Sequence, residues 1–272
     1  MSPVRPVKPN HSINEVVFVL HFSKSLSESD LQSLVQLEDQ FKDELPKMEE
    51  KKGSGFSFST ENQQMEMLPS MLMSVAFKRM NDKNEFDWAL RAERNFIAVN
   101  CLNYGNGWKE IWPKVKDYLT HAAQKLINTE LSVESLALQY IDRFIYEGQI
   151  DCYEASTVFD EQSEYLNKKV TTVGPYWHIH QGWFETIKEL PVRILNILNI
   201  TAAMADKEHH TTIDHSATIQ FKQKITNHKT LFEDIIKGKT TIDYYFDLLH
   251  EENKQVLREL LNKERIDDIK LT

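Results

Sequence analysis

The chain is poor in cysteine, glycine and proline. Its 272 residues include two Cys, eight Gly and eight Pro. Two cysteines are too few for a zinc site of Cys ligands or for a disulfide scaffold. So few glycines and prolines argue against a linker-rich or low-complexity chain, and the hydrophobic fraction of 41% is ordinary for a folded protein. The composition therefore predicts a compact globular protein.

Long apolar runs and an excess of positive charge are also absent. No run reaches the about 18 apolar residues that a membrane span needs, and residues 1–6 lack the apolar segment of a signal peptide. We therefore expect a cytoplasmic protein with no membrane partner. The net charge of -9 argues against general binding to nucleic-acid phosphates. The lysines of 47–52 alternate with glutamates and predict only a solvated, charged face.

What is present is a series of short apolar runs typical of strands. The run Ile13–Phe22 is apolar almost throughout, which predicts a strand buried on both faces. Apolar and polar residues alternate in 85–92, the period of a half-buried strand, and the polar breaks beside it suit hairpins. The predicted strands are 13–22, 53–59, 72–79, 85–92, 95–104, 133–146, 174–184, 192–205 and 211–221.

Helical periodicity separates these strands. An apolar stripe that Ser27 or Ser29 can cap predicts a helix over 28–45, and similar stripes predict helices at 108–127 and after 230, with a short one at 155–166. Three strands followed by a helix occur twice, at 71–127 and 174–261, the order that two βββα halves would give. We predict an α+β fold with a mostly antiparallel sheet and packed helices, in halves 1–150 and 151–272 of one compact unit.

Three segments resemble a known family. The segments are Pro9-Asn10-His11-Ser12-Ile13-Asn14-Glu15-Val16-Val17-Phe18, Leu138-Gln139-Tyr140-Ile141-Asp142-Arg143-Phe144 and Leu248-Leu249-His250. They are similar to the opening, the middle strand and the last helix of the TIGR04255 family of sporadically distributed prokaryotic proteins. Gln139, Asp142 and Phe144 depart from its usual middle strand. The resemblance implies this fold over nearly the whole chain and an association with defence or mobile genes, but no activity or cofactor.

Histidines of the second half are the candidates for a metal site. His178 and His180 would lie on one face of a strand, about 6–7 Å apart. Asp214 and His215 follow on a later strand, and imidazole with carboxylate suits zinc, iron or manganese. Since no metal-binding motif joins these segments, we expect polar rim residues and no cofactor. His178, His180, Asp214 and His215 remain the ligand set of the alternative.

Two features indicate binding. Arg143 lies in an apolar strand, where an unpaired charge is costly, so it should meet a carboxylate such as Asp87 or Glu93, or else a ligand or partner. Its strand also contributes Tyr140. A second candidate surface is the aromatic group Tyr176, Trp177 and Trp183, which is denser than a core strand needs. Alternation sends Trp177 and Trp183 to one face, and Tyr176 and Phe184 to the other.

Three functions are compatible with these patterns. In the first, favoured because no strong catalytic motif is present, the chain is a non-catalytic binding or adaptor protein with a protein partner, in a prokaryotic defence or stress system. The second is a metal-dependent hydrolase of a phosphoester or nucleotide that uses the second-half histidines. The third is a sensor that holds a small molecule between the sheet and a long helix.

The turn Gly105-Asn106-Gly107 before a helix predicts either a simple cap or backbone amides that hold an anion.

Overall fold

The computed structural model describes residues 3–54, 56–59, 64–67, 70–105, 107–126, 131–187, 192–221 and 228–271, with side chains left out at 56–59, 64–67 and 228–230. The strands are β1 (Val4–Pro6), β2 (Ile13–Phe22), β3 (Lys47–Gly53), β4 (Phe56–Ser59), β5 (Gln64–Met67), β6 (Met71–Met80), β7 (Phe86–Glu93), β8 (Phe96–Cys101), β9 (Val133–Tyr146), β10 (Trp177–Thr186), β11 (Val192–Ala205) and β12 (Glu208–Phe221). The helices are α1 (Glu28–Val35), α2 (Glu38–Phe41), α3 (Trp108–Lys125), α4 (His228–Ile236), α5 (Thr241–Leu260) and α6 (Lys263–Asp268).

One antiparallel sheet of ten strands organises the chain, which confirms the predicted α+β class. Its order is β10-β11-β12-β9-β2-β8-β7-β6-β3, with β1 paired to the end of β9, while β4 and β5 form a separate hairpin. The 14-residue strand β9 pairs with β2 on one side and with β12 on the other. The sheet therefore runs without interruption from residues before 150 to residues after it.

The helices form a layer against the sheet, and the core lies between them. Phe18 of β2 is fully buried, and its ring centroid lies 5.7 Å from Trp108 and 5.9 Å from Trp112 of α3. The Phe18 ring also lies 5.6 Å from Phe246 of α5. Alternate residues of β11 and β12 are buried, as the period of two in their sequences predicts. Strand β2 thus provides the side chain against which both long helices, α3 and α5, pack.

Two predicted helices differ from the structure. The predicted helix 28–45 begins after Ser27, one of its two predicted caps, whose side chain forms a capping box with Asp30, but it is divided into α1, which ends at Val35, and the short α2. There the amide of Leu37 bonds to the carbonyl of Leu34, three residues back, so the helical ladder stops while Leu37 stays buried. The predicted helix at 155–166 is replaced by a 3-10 turn at Ala155–Thr157.

The lysine-rich segment forms a mostly exposed edge strand, so it presents the predicted solvated, charged face, although the strand itself was not predicted. Lys47–Gly53 pairs antiparallel with β6 at the sheet edge. Glu49 accepts a hydrogen bond from Lys78 across the strands, and its carboxylate lies 2.9 Å from the ammonium of Lys47. In this strand, pairs of opposite charge replace the alternation of apolar residues that is typical of a half-buried strand. Of the predicted strand 53–59, residues 56–59 belong to β4, and residue 55 lies outside the described residues.

A buried arginine connects β1 to α6. Arg265 is fully buried, and its Nη1 donates to the carbonyl of Val4 at 2.5 Å. Its guanidinium also meets Glu264 at 2.6 Å and Asp268 at 3.2 Å. The carboxylates satisfy the charge that burial would otherwise make costly. Within the described part of the chain, no helix is long and apolar enough to span a membrane.

Candidate functional site

A cavity of about 440 Å³ lies between β9, the segment before β2, the start of α3 and helix α5. We call it the β9–α5 cavity. This size is within the range of sites for small molecules. The residues that line it are Asn10, His11, Ser12, Ile13, Tyr104, Gly105, Gly107, Tyr140, Asp142, His250, Asn253, Lys254, Leu257, Ile269, Lys270 and Leu271.

Asp142 is the buried acid of this cavity. Side chains alternate along β9, so Tyr140 and Asp142 both face the helix layer and are 1% exposed. The carboxylate oxygen Oδ1 accepts from the hydroxyl of Ser12 at 2.6 Å, but Oδ2 has no hydrogen-bond partner among the described residues. Burial raises the pKa of Asp142 to about 6 against the opposing Ser12 bond, and no cation of the described residues lowers it. A mostly ionised carboxylate at neutral pH thus keeps one oxygen unpaired.

A β-bulge brings Ser12 to this acid. The pairing of β2 with β9 shifts between Ile13 and Glu15, so Asn14 is an extra residue on β2. Beyond it, Ile13 lies opposite Asp142 and the amide of Arg143 donates to the carbonyl of Ser12 at 2.7 Å. The bulge therefore fixes the position of Ser12, the one hydrogen-bond partner of the Asp142 side chain among the described residues.

Two tyrosines and a histidine form a hydrogen-bonded chain beside Asp142. The hydroxyl of Tyr140 lies 2.8 Å from Nδ1 of His250 and also bonds to the hydroxyl of Tyr104. Trp108 stacks parallel to His250 with 4.3 Å between ring centroids. Burial lowers the pKa of His250 to about 4 and raises the pKa of Tyr104 to about 12. All three groups are therefore neutral near pH 7.

The hydrogen bonds among Tyr104, Tyr140 and His250 can run in either of two directions. If Nδ1 of His250 accepts, Tyr140 donates to it and Tyr104 donates to Tyr140. If Nδ1 carries the proton, Tyr140 donates to Tyr104 instead. In the second arrangement the proton of Tyr104 is free to point into the cavity, and in the first its oxygen lone pairs are free. Tyr104 can therefore present either a donor or an acceptor to a bound molecule.

Positive groups on other elements also line the cavity. Lys254 of α5 and Lys270 both line it. Helix α3 begins there after its N-cap Gly107, whose φ of 85° is readily adopted only by glycine and which has no side chain to cap the helix. The first amides of a helix have no acceptor within the helix and carry partial positive charge. The predicted Gly105–Gly107 turn thus does open a helix, at the wall of the cavity.

A buried network holds α5 against the sheet. Nε2 of His215 on β12 lies 3.2 Å from Oδ1 of Asn196, and its Nδ1 lies 3.0 Å from Nδ2 of Asn253. Because the Asn253 amide donates, His215 must accept through Nδ1 and carry its proton on Nε2. Burial lowers the pKa of His215 to about 4, which keeps it neutral. Asn253 also lines the cavity, so this network fixes one of its walls.

The four residues of the alternative metal site do not converge. His178 bonds to Thr201 at 2.9 Å, and His180 bonds to Asn199, both on the partly exposed face of the sheet. Asp214 accepts from Gln139 at 2.7 Å on that same face, whereas His215 points into the helix layer. Among the described residues, no three His, Cys, Asp or Glu side chains are grouped to hold a metal ion.

The aromatic residues of β10 alternate as predicted. Trp177 and Trp183 are partly buried against the smaller of two core clusters, and Trp183 lies 5.0 Å from the ring of Tyr165. Tyr176 and Phe184 are 58% and 55% exposed. No other strand pairs with the outer edge of β10 in the described part of the sheet. Of the predicted binding residues, Tyr176 is thus the one whose side chain is mostly exposed.

Arg143 lies on the opposite face of β9 from Tyr140 and Asp142. The two predicted partners pair elsewhere: Asp87 binds Arg79 at 2.9 Å, and Glu93 approaches Arg91 at 3.5 Å. The Nε of Arg143 has no hydrogen-bond partner among the described residues, and the side chain is only partly buried. The expected salt bridge to Asp87 or Glu93 is therefore not formed, and Arg143 does not share the site of Tyr140.

The cavity gathers residues that the sequence placed in separate segments. Asn10, His11 and Ser12 come from the first segment of the resemblance, Tyr140 and Asp142 from the second, and His250 from the third. Tyr140 was predicted as a binding residue, but Asp142 and Ser12 were not. An acid at a buried position of an apolar strand was the available signal for Asp142.

Comparisons with known proteins give no further identification. No family model matches the chain, and no curated protein matches it. Among solved structures, the di-domain ARO/CYC StfQ from the steffimycin biosynthetic pathway is 7% identical, with a TM-score of 0.17 over 89% of this chain and 96% of that one. The Pct1 RNA triphosphatase of S. pombe is 9% identical, with a TM-score of 0.16 over 92% and 87%. At such scores neither likeness carries an argument about fold or function.

Proposed function

We propose that the chain binds a small polar molecule in the β9–α5 cavity. The observation that carries this proposal is Asp142, a buried carboxylate that lines a cavity large enough for a ligand and whose Oδ2 has no hydrogen-bond partner among the described residues. An unpaired buried acceptor on a charged group costs more than the 1–3 kcal/mol typical of a neutral one. A bound molecule with a hydrogen-bond donor would remove that cost.

The remaining lining supports recognition of such a molecule. Apolar surface comes from Leu257, Ile269 and Leu271. The hydroxyl of Tyr104 can either donate or accept a hydrogen bond. Pockets with an apolar lining and a few placed polar groups are typical of small-molecule sites. This is the sensor function of the sequence analysis, with the ligand held between sheet and long helix.

The first prediction concerns a molecule that remains bound during purification. We expect gentle purification followed by denaturation to release a small molecule from the wild-type protein, detected by mass spectrometry. Asp142→Leu should reduce the amount by about tenfold or more, because the acceptor is removed while the volume is nearly kept. Asp39→Asn, an exposed acid on α2, should release the wild-type amount. Equal release from wild type and Asp142→Leu would contradict the proposal.

A second candidate function is protein association through β10, with a second copy of the chain as the partner. An antiparallel pair of β10 strands about a twofold axis at His180 would place Trp177 opposite Trp183 and Tyr176 opposite Phe184. Aromatic pairs across strands stabilise a sheet, and a twofold axis makes the edge complementary to itself. The open edge and the exposed rings of Tyr176 and Phe184 support this association.

The second prediction is therefore a dimer with twice the chain mass of 31.9 kDa, measured by light scattering after gel filtration. His180→Lys should give a monomer, because two ammonium groups would meet at the axis. Met204→Lys adds the same charge at an exposed position of β11 and should leave the dimer intact. A monomeric wild type, or a dimer unaffected by His180→Lys, would rule out this interface.

A further inference from the structure

The β9–α5 cavity is lined by groups of both charge signs, and this indicates the class of ligand. Asp142 on β9 is the buried anion, and one of its oxygens has no hydrogen-bond partner among the described residues. Lys254 on α5, Lys270 and the start of α3 bring positive charge to the same cavity. A ligand that satisfies both needs a positive group and a negative group.

The geometry points to a small zwitterion: we propose that the ligand carries a cationic nitrogen that binds Asp142 and an anionic group that binds Lys254 and the start of α3. This inference rests on the proposed function and goes beyond it by assigning the charges of the ligand. An ammonium group suits the Asp142 end, and a carboxylate or a phosphate suits the other.

The cationic end follows from the surroundings of Asp142. The carboxyl is 1% exposed, and its one partner in the described residues is the neutral hydroxyl of Ser12. A neutral ligand would leave a buried negative charge without a counter-charge, which is costly even when it is hydrogen-bonded. A cationic nitrogen gives Oδ2 a donor and the carboxylate its opposite charge at the same time.

The anionic end follows from the groups that face the cavity from α3 and α5. The side chain of Lys254 is 22% exposed, and its ammonium lies 3.3 Å from Glu251, an exposed carboxylate one turn earlier. That bond leaves further ammonium protons for a ligand. His250 and His11 do not compete for an anion, because burial lowers the pKa of each and favours the neutral ring. Lys254 and the helix amides are thus the groups that an anion would meet.

The third prediction uses three probes of equal chain length: γ-aminobutanoate, n-butylamine and butanoate, titrated into ligand-stripped protein by calorimetry. We expect γ-aminobutanoate to bind tightest, n-butylamine more weakly and butanoate least. Asp142→Asn keeps the shape and removes the charge, so it should weaken both amines by about tenfold or more. Lys254→Met should reduce γ-aminobutanoate to the level of n-butylamine and leave n-butylamine unchanged. Aminoethyl phosphate in place of γ-aminobutanoate separates a phosphate preference from a carboxylate preference.

The outcomes separate this inference from the proposed function. If the molecule released from the wild type lacks a basic nitrogen, or if butanoate binds as tightly as γ-aminobutanoate, the zwitterion is wrong and the small-molecule site stands. Amine binding that Asp142→Asn leaves unchanged also overturns the inference. If no molecule is released and none of the probes binds, the proposed function falls, and the inference falls with it.

Discussion

The stability of ligand-free wild-type protein relative to Asp142→Asn should fall as the pH rises from about 4 to about 6. The pKa of Asp142 is raised from 3.8 to about 6 by burial. Between these values the Asp142 carboxyl of the folded protein holds a proton that the unfolded chain has released, so the contribution of this group to the free energy of unfolding falls as pH rises. The lowered pKa values of His215 and His250 act in the opposite direction, but they are common to both proteins and cancel in the difference. At 1.36 kcal/mol per pKa unit, the full difference is about 3 kcal/mol, present above about pH 6.

The measurement is urea unfolding at several pH values, compared as the difference between wild type and variant. That difference should change by about 2–3 kcal/mol between pH 4 and pH 7 in favour of Asp142→Asn. Its absolute size is a poorer test, because the new amide nitrogen also lacks a partner. Asp39→Asn serves as the control for a neutralised carboxyl that is exposed. A constant difference for Asp142→Asn would show that this acid is not buried as described.

The largest loss of stability should follow Phe18→Ala. Replacing a buried Phe by Ala costs about 3–5 kcal/mol, through lost transfer energy and the cavity that remains. Phe18 meets Trp108 and Trp112 of α3 and Phe246 of α5, three bulky rings on two helices that cannot all close in on an alanine. We therefore expect the upper part of that range.

Chemical denaturation measures this effect, with Phe18→Leu as the matched variant. Leucine keeps most of the buried volume and should cost about 1–1.5 kcal/mol. Because Trp108 also stacks on His250, Phe18→Ala should weaken ligand binding as well, whereas Phe18→Leu should retain it. Similar losses from both variants would mean that the two helices are not held by this side chain.

The strands were predictable where burial alone decided the residue types. Val192–Ala205 and Val133–Tyr146 have the predicted bounds, because alternate positions of a half-buried strand must be apolar. This pattern did not predict the strand Lys47–Gly53, since an edge strand has little core to face and is held by backbone pairing and opposite charges. The pattern also did not predict where α1 ends, because a local turn at Leu37 ends this helix.

The cavity was predictable only in part. Tyr140 was named as a binding residue, and the Gly105–Gly107 turn as a possible anion site, because both have local signals. The bond between Ser12 and Asp142 joins residues 130 positions apart, so no local pattern contains it. Arg143 shows the converse case: the apolar segment around it suggested burial, but its side of β9 faces away from the helix layer.

The place of β9 in the sheet has a consequence for synthesis on the ribosome. Its partner β2 is made long before it and β12 long after it, so β2 and β9 can pair while β12 is still absent. Until residue 221 has been made, one edge of β9 remains open to other strands, which favours aggregation of a nascent chain. The cavity forms later still, because Lys270 and Leu271 are among its walls and Arg265 fixes α6 to Val4. A nascent chain therefore completes most of its sheet before the β9–α5 cavity exists.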